Sequence, residues 1–573
     1  MKKYVMPVGK SDFEKIRKDN NYYIDKTDLI GQILSEGAEV TLFTRPRRFG
    51  KSLNMSMLES FFDIRKDSKA IFEGLEISED EELCEKWMNQ YPTILISFKE
   101  VGGTDFNNAA ERIKSIISKL YESHDYLVKD NPYLTKPQEK LFDSFLMRES
   151  SNTDLTDCLF LLTSMMYDYY RKPVIVLIDE YDVPMSKGSV DGYYREITDI
   201  MRYMLSKALK DNPYLKLAVL TGCLRVTKES IFTGLNNLYV NTMSDNRFDE
   251  CFGFTNPEVD KLLGDTELSD YKEIIRDWYN GYRFGSKDIY CPWDVLNYVS
   301  DLQGTAGLAP KNYWSNTSSN EIIRQYLDSN LNLNAQMEAL LRGEYIITDL
   351  SEDVTYRDLT DSAINFWSIL YATGYLTTVP DDKPFDITKV YQSGKPFEMP
   401  KPKLRLVNNE IKDLFAKTIA KWFTETVIKD DRTALFEALW KGDDTTLSET
   451  ISRYLRKTIS YYDYNENFYH AFLAGLLSGV NGYNVESNRE AGEGRADLMI
   501  RNEDTMQAAV LELKVVKSLS DVQEMCDKAL EQIDEKGYVQ TLIEEEGFDV
   551  LKYGVIFFKK RCFIKRDKNG FIM

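Results

Sequence analysis

The apolar segment Val40-Thr41-Leu42-Phe43 runs directly into Thr44-Arg45-Pro46-Arg47-Arg48-Phe49-Gly50-Lys51-Ser52, and Leu53 to Phe62 then carry helical apolar spacing. A buried strand, a tight loop and a helix N-terminus in that order make a phosphate cradle. Loop N–H groups and the helix dipole attract the anion, Lys51 reaches the β- and γ-phosphates, and the Ser52 hydroxyl takes Mg²⁺. The expected nucleotide-binding residues are therefore Arg45, Arg47, Arg48, Phe49, Gly50, Lys51, Ser52 and Leu53. Arg45 stands where such loops usually open with glycine. A second Gly-Lys-Ser, at Gly9-Lys10-Ser11, follows Met6-Pro7-Val8, which leaves no room for a buried strand, and reads as a surface turn.

Val174-Ile175-Val176-Leu177-Ile178 is a continuous apolar run, the pattern of a strand covered on both faces. It ends in Asp179-Glu180-Tyr181-Asp182. Asp179 is placed to hold the Mg²⁺ hydration shell and Glu180 to polarise the attacking water. A further strand, Leu217 to Leu220, ends in Thr221-Gly222 and leads to Arg225. Thr221 is a candidate sensor of the γ-phosphate and Arg225 a candidate for neutralising transition-state charge.

Strands at 40–44, 93–98, 174–179 and 217–221 alternate with helical stretches, which predicts a doubly wound parallel sheet with helices on both faces. The strand at 93–98 leaves room for an extra strand between the two motif strands. From about Asn256 the pattern becomes helical and rich in aromatics, at Trp278-Tyr279-Asn280-Gly281-Tyr282, Pro292-Trp293-Asp294 and Tyr313-Trp314. Burial in a helical core is the commoner use of such rings, base stacking the rarer. Asn365 to Tyr371 followed by Gly374 to Thr378 reads as a helix and a short strand, compatible with a winged-helix-like lid, and Asp381 to Pro384 as a turn. The expected domains are a P-loop nucleotide-binding domain over 1–255, a mainly helical region over 256–460 and a small α/β domain over 461–573.

That last domain carries its own constellation. Ala508-Ala509-Val510-Leu511-Glu512-Leu513-Lys514-Val515-Val516 is an apolar strand that places Glu512 and Lys514 on one face. A carboxylate and an ammonium there are costly unless a metal or a partner rewards them. Asp497, at the start of the preceding strand, reaches the same point across a hairpin. Asp497 and Glu512 together suit a hard divalent cation that polarises a phosphodiester, with Lys514 orienting the water or stabilising the charged intermediate. A structural Asp/Glu–Lys ion pair is the alternative. Glu466 is a further candidate metal ligand, and Gln532 and Tyr538 are candidates for positioning DNA or the lysine.

These residues resemble bacterial predicted ATPases of the AAA-like class that carry a C-terminal PD-(D/E)XK, restriction-endonuclease-like nuclease domain. The resemblance spans almost the whole chain. It rests on Tyr23-Ile24-Asp25-Lys26-Thr27, the loop at 44–52, Leu177 to Asp182, Thr221-Gly222, Trp278 to Tyr282, Gly492-Glu493-Gly494-Arg495-Ala496-Asp497 and Glu512-Leu513-Lys514. An arginine-rich phosphate loop is the group's own signature. Ala496 replaces the superfamily's proline, a common replacement that leaves the metal carboxylates in place. The resemblance implies ATP, Mg²⁺ or Mn²⁺, and a nucleic-acid substrate, DNA in particular.

Composition limits the rest. A net charge of −20, from 72 basic and 92 acidic residues, argues against a protein that coats nucleic acid non-specifically, so any such site is a local basic surface. The stretch from Val555 to Lys568 offers one; guarding an edge strand is its other use. Only 2 histidines and 7 scattered cysteines argue against structural zinc, a disulfide framework and His-based nucleophilic catalysis. No signal peptide or membrane span is read, and a reducing cytoplasm fits. Homo-oligomers are allowed. Two functions fit: an ATP-hydrolysing protein with a metal-dependent nuclease domain, or a nucleotide-dependent regulatory or scaffold ATPase whose nuclease-like domain binds without cutting.

Overall fold

The computed structural model describes residues 4–129, 131–225, 237–314, 323, 333–351, 354–359, 361–380, 388, 400–418, 431–457, 466–478, 482–491, 494–535, 538–544 and 547–567. Strands β1 (Val40–Thr44), β2 (Thr93–Ser97), β3 (Val174–Asp179), β4 (Leu215–Gly222) and β5 (Leu238–Asn241) form one sheet in the order β2-β3-β4-β1-β5. Every pairing in it is parallel. All residues of β1 and β3 are buried, which is why both read as near-continuous apolar runs. An extra strand does separate the two motif strands: it is β4, while β2 takes the edge beside β3.

The connecting helices follow from local sequence. Asp105 caps the helix Phe106–Glu122 by accepting the Asn108 N–H at 2.9 Å, and Ala109, Ala110, Ile113, Ile117, Leu120 and Tyr121 form its buried stripe. Loss of such a cap costs about 1 kcal/mol.

Strands β6 (Phe254–Thr255), β7 (Tyr282–Phe284) and β8 (Lys287–Tyr290) make a small antiparallel sheet of order β6-β8-β7. Helices Asn256–Asp265, Lys272–Tyr279 and Pro292–Gly304 pack beside it around Leu262, Ile275, Tyr279 and Tyr298, so these aromatic rings are core. Strands β9 (Ile346–Ile347), β10 (Leu376–Val379) and β11 (Lys403–Leu406) form a third sheet, and the helix Ala363–Ala372 precedes β10 as the sequence suggests. The turn at 381–384 lies outside the described residues.

The chain divides into two compact units. One is Met1–Leu331 with Tyr345–Leu414; the other is Asn332–Glu344 with Phe415–Met573. The expected 256–460 region is split because its strands and aromatic core pack with the N-terminal unit. The helices Thr433–Lys441 and Asp444–Lys457 instead bury Leu435, Phe436, Leu439, Leu447 and Ile451 against the C-terminal sheet. The expected boundary at 460/461 lies outside the described residues.

The second unit is built on β12 (Asn484–Ala491), β13 (Gly494–Asn502), β14 (Gln507–Val515), β15 (Asp549–Phe558) and β16 (Arg561–Arg566), in sequential order. Only β14 and β15 are parallel, and the helix Val522–Glu535 lies in the crossover between them. Alternation along β14 sends Leu511 and Leu513 into the core shared with the helices at 433–457 and 466–477, leaving Glu512 and Lys514 on the opposite face. Among the described residues no helix is long and apolar enough to cross a membrane.

Candidate nucleotide and nuclease sites

The phosphate loop turns through two left-handed residues, Arg48 at φ 72° and Gly50 at φ 81°, before the helix Lys51–Phe62 begins. Lys51 Nζ donates to the carbonyls of Arg45 (3.0 Å) and Pro46 (2.9 Å) and to Cys223 Sγ (3.7 Å). Burial opposes its charge, yet Cys223, Glu180, Asp182 and Asp179 together raise the ammonium above its ordinary value. It therefore remains a cation at the loop.

Arg45 is corrected from nucleotide ligand to framework. It is fully buried, and its guanidinium donates to the carbonyls of Thr44, Asn241 and Phe248 between the rings of Phe252 and Phe284. Burial lowers it to about 10, so the cation holds the loop from behind and cannot also reach a phosphate. Phe49 is likewise buried, its ring packed on Tyr282 and Phe284. Pro46 presses on Gly374 (φ 89°): a Cβ at 374 would lie 2.8 Å from Pro46 Cβ, so only glycine fits.

Three hydroxyls converge on Asp179. Ser52 Oγ donates to Oδ2 at 2.7 Å, Ser97 Oγ to Oδ2 at 3.1 Å, and Thr221 Oγ1 to Oδ1 at 2.7 Å. This set of hard oxygens at the end of β3 fits Mg²⁺. Glu180 follows at φ 52°; burial raises its carboxyl, while Lys51 and Arg47 pull it down. Asp182 Oδ2 accepts the N–H groups of Cys223 (3.0 Å) and Leu224 (3.1 Å), and Tyr181 Oη donates to the Leu224 carbonyl at 2.5 Å. Sequence reasoning gives no role to Asp182, Tyr181 or Ser97. The place of Asp182 in Asp-Glu-Tyr-Asp is the available signal; for Ser97 it is a polar residue closing an apolar strand.

Arg48, Phe49, Gly50, Lys51, Ser52, Leu53 and Glu180 line one cavity of about 250 Å³. Its far wall is Tyr22, Tyr23, Phe254, Trp293 and Leu296, together with the turn at Gly9-Lys10-Ser11. That second Gly-Lys-Ser is the turn the sequence suggests, with Lys10 N–H donating to the Pro7 carbonyl at 3.1 Å, yet it helps to enclose the site. Arg47, Asp179 and Thr221 are not among the residues that line it. Arg225 lines a second cavity of about 110 Å³ with Thr44, Ser244 and Tyr371 and is not among the residues lining the first.

In the second unit β13 and β14 pair with Leu498 opposite Leu511, so one step further sets Asp497 beside Glu512. Asp497 Oδ2 accepts the Leu513 N–H at 2.8 Å. Glu512 is 1% exposed, and its Oε1 accepts from Lys514 Nζ at 3.2 Å and from Gln532 Nε2. The structure thus brings Asp497, Glu512, Lys514 and Gln532 together. The two carboxylates are a hard-oxygen set that fits Mg²⁺ or Mn²⁺. Glu466 begins the helix Glu466–Leu477; its side chain, that of Tyr538, and residues Gly492 and Glu493 lie outside what is described. On the same helix His470, to which the sequence gives no role, sets Nε2 2.6 Å from the Asp497 carbonyl; that oxygen only accepts, so Nε2 carries the hydrogen. Among the described residues no group of three or more His, Cys, Asp or Glu side chains is placed to hold a metal ion.

Comparison with known proteins follows this division. An uncharacterized protein in the vnfD 5′ region of Azotobacter chroococcum mcd 1 is 25% identical over 552 residues, covering 94% of this chain and 93% of that protein. The Aeropyrum pernix ORC2 protein, solved as ADPNP–ADP complexes, is 11% identical, covers 73% of this chain and 97% of its own, and superposes with a TM-score of only 0.22. Residues 7–232 match the family described as predicted AAA-ATPase, and residues 464–567 match the PD-(D/E)XK nuclease superfamily. The chain therefore carries an N-terminal AAA-ATPase-like domain and a C-terminal domain of the PD-(D/E)XK nuclease superfamily.

Proposed function

We propose that this protein binds and hydrolyses ATP in its N-terminal unit and cleaves DNA with a divalent metal in its C-terminal unit. The observation that carries the reading is the junction of Ser52, Thr221 and Asp179, joined through Ser52 to a cavity that Lys51 and Glu180 also line. Lys51 neutralises the β- and γ-phosphates. Asp179 and Ser52 would hold Mg²⁺, which would neutralise the charge developing on the phosphates. Glu180 accepts the proton of the attacking water. The aromatic wall of Tyr22, Tyr23 and Trp293 suits the base. In the second unit Asp497 and Glu512 would hold the metal, and Lys514 stabilises the charged phosphorane-like transition state.

Lys51→Ala is expected to abolish ATP binding by calorimetry; unchanged affinity would sink the nucleotide reading. Plasmid, linear and single-stranded DNA, each incubated with the purified protein with and without ATP and Mg²⁺ or Mn²⁺, test the rest. Metal-dependent cleavage is expected. Binding without cleavage under every condition would make the protein a nucleotide-dependent scaffold.

DNA on so acidic a chain needs a local basic surface, and the turn between β15 and β16 supplies Lys559, Lys560 and Arg561. Lys514 pairs with Ile556, which sets that turn about 10 Å further along the strand. The alternative use, guarding an edge, is already served: the N–H groups of Cys562 and Ile564 donate to Ser452 Oγ (2.8 Å) and Ser448 Oγ (2.9 Å). Replacing the three basic residues with glutamine is expected to weaken DNA binding. Its salt dependence should flatten by roughly 0.9 in log–log slope for each phosphate no longer neutralised. An unaltered slope in a folded variant would remove the turn from the DNA path.

A further inference from the structure

One peptide unit in the N-terminal unit is gripped from both sides. Its carbonyl, that of Tyr313, accepts from Nη1 of the phosphate-loop residue Arg48 at 2.5 Å and from Trp293 Nε1 at 3.3 Å. The Tyr313 N–H donates to Glu410 Oε1 at 2.6 Å, and the Trp314 N–H joins it at 2.9 Å. Asn312 Nδ2 ties the same segment to the Glu410 carbonyl at 3.0 Å. The Arg48 guanidinium lies over the Trp293 indole, 4.5 Å from the ring centre, and both residues line the nucleotide cavity. Among the described residues no carboxylate forms an ion pair with Arg48, so its charge is available to an incoming anion.

Glu410 has a second partner. Asp294, next to Trp293 on the helix Pro292–Gly304, meets it in the core, and both side chains are fully buried. No described backbone N–H or hydroxyl donates to either Asp294 oxygen or to Glu410 Oε2. Two carboxylates so placed cannot both ionise and must share a proton. Burial raises both acids; the adjacent Asp294 drives Glu410 further up, and Arg48 opposes the rise at Asp294.

We propose that Glu410, sharing a proton with Asp294, is a positioning residue for Arg48: through the Tyr313 peptide it holds the guanidinium over Trp293 as a second cation, beside Lys51, for the nucleotide phosphates. This rests on the nucleotide reading of the cavity. A free, solvated arginine would lose side-chain entropy on meeting the ligand; one held in place by a fixed carbonyl has already lost it. The carboxyl pair is what fixes that carbonyl.

The test is ATP affinity of the full chain by calorimetry in a double-mutant cycle. Arg48→Ala is expected to weaken ATP about tenfold or more, the size of one hydrogen bond to a charged group. Glu410→Asp, which keeps the carboxyl group but withdraws the acceptor by one methylene, is expected to give a similar loss. The Arg48→Ala/Glu410→Asp protein should bind no more weakly than Arg48→Ala alone. Glu410→Gln, which keeps an acceptor for Tyr313 and donates to Asp294, should bind ATP as the parent does. If Glu410→Asp does not fold, Glu410→Met, apolar and of similar volume, replaces it with the same expectation. Parental affinity in either folded variant, or losses that multiply in the double mutant, would overturn the proposal. Lys51→Ala separates the two readings: if it too binds ATP normally, the nucleotide site itself has failed, and if it alone loses binding, only the role of Glu410 has.

Discussion

Glu180→Gln is expected to bind ATP normally and to lose hydrolysis by roughly 100- to 10,000-fold, the range of a positioned general base. The amide keeps the shape of a residue held at φ 52° in the cavity wall but cannot take a proton from water. Burial raises the Glu180 carboxyl, and a base must be ionised to act, so hydrolysis should fall as pH drops through that raised value. The acid limb should therefore sit above that of an exposed glutamate and be missing from the residual activity of Glu180→Gln. Steady-state hydrolysis against pH, alongside calorimetric affinity, checks both. Turnover near the parental rate would mean that Glu180 is not the base.

Lys51, Ser52, Asp179 and Glu180 are legible in the sequence because each lies within a few residues of a strand end, where local pattern and tertiary position coincide. The strands themselves are legible for the reason they are buried: a parallel sheet covered on both faces favours near-continuous apolar runs. Arg45 is not. Whether an arginine in the loop faces the ligand or the core depends on Phe252 and Phe284, which nothing near residue 45 announces. The surroundings of Arg225 are equally silent in the sequence: Tyr181 and Asp182 fasten the two residues before it, and it lines the second cavity. The Gly9-Lys10-Ser11 turn is plain from its own residues, but its place in the wall of the site is set by packing against Trp293. The split of the expected middle region has the same origin. Amphipathic helices at 433–457 look alike whichever core they cover, and only their partners on β14, β15 and β16 assign them to the C-terminal unit.

In that unit Asp497→Asn and Glu512→Gln are each expected to reduce metal-dependent DNA cleavage by roughly 100- to 10,000-fold, a loss of several kcal/mol at tenfold per 1.36 kcal/mol. These amides separate metal chemistry from structure better than alanine does. The Asp497→Asn side chain retains an acceptor for the Leu513 N–H, and the Glu512→Gln side chain retains one for Lys514 and Gln532. The hydrogen bonds seen at the strand junction therefore persist. What each substitution removes is a negative charge, which a hard cation requires and a hydrogen bond does not. Folding should change little, the more so because Lys514 keeps 21% of its side chain exposed and can be solvated when its partner turns neutral. Mn²⁺ affinity by calorimetry should fall with cleavage. If the pair were only a structural ion bridge, the pattern would invert: Glu512→Gln would lower the melting temperature while Mn²⁺ binding and cleavage by Asp497→Asn stayed at the parental level.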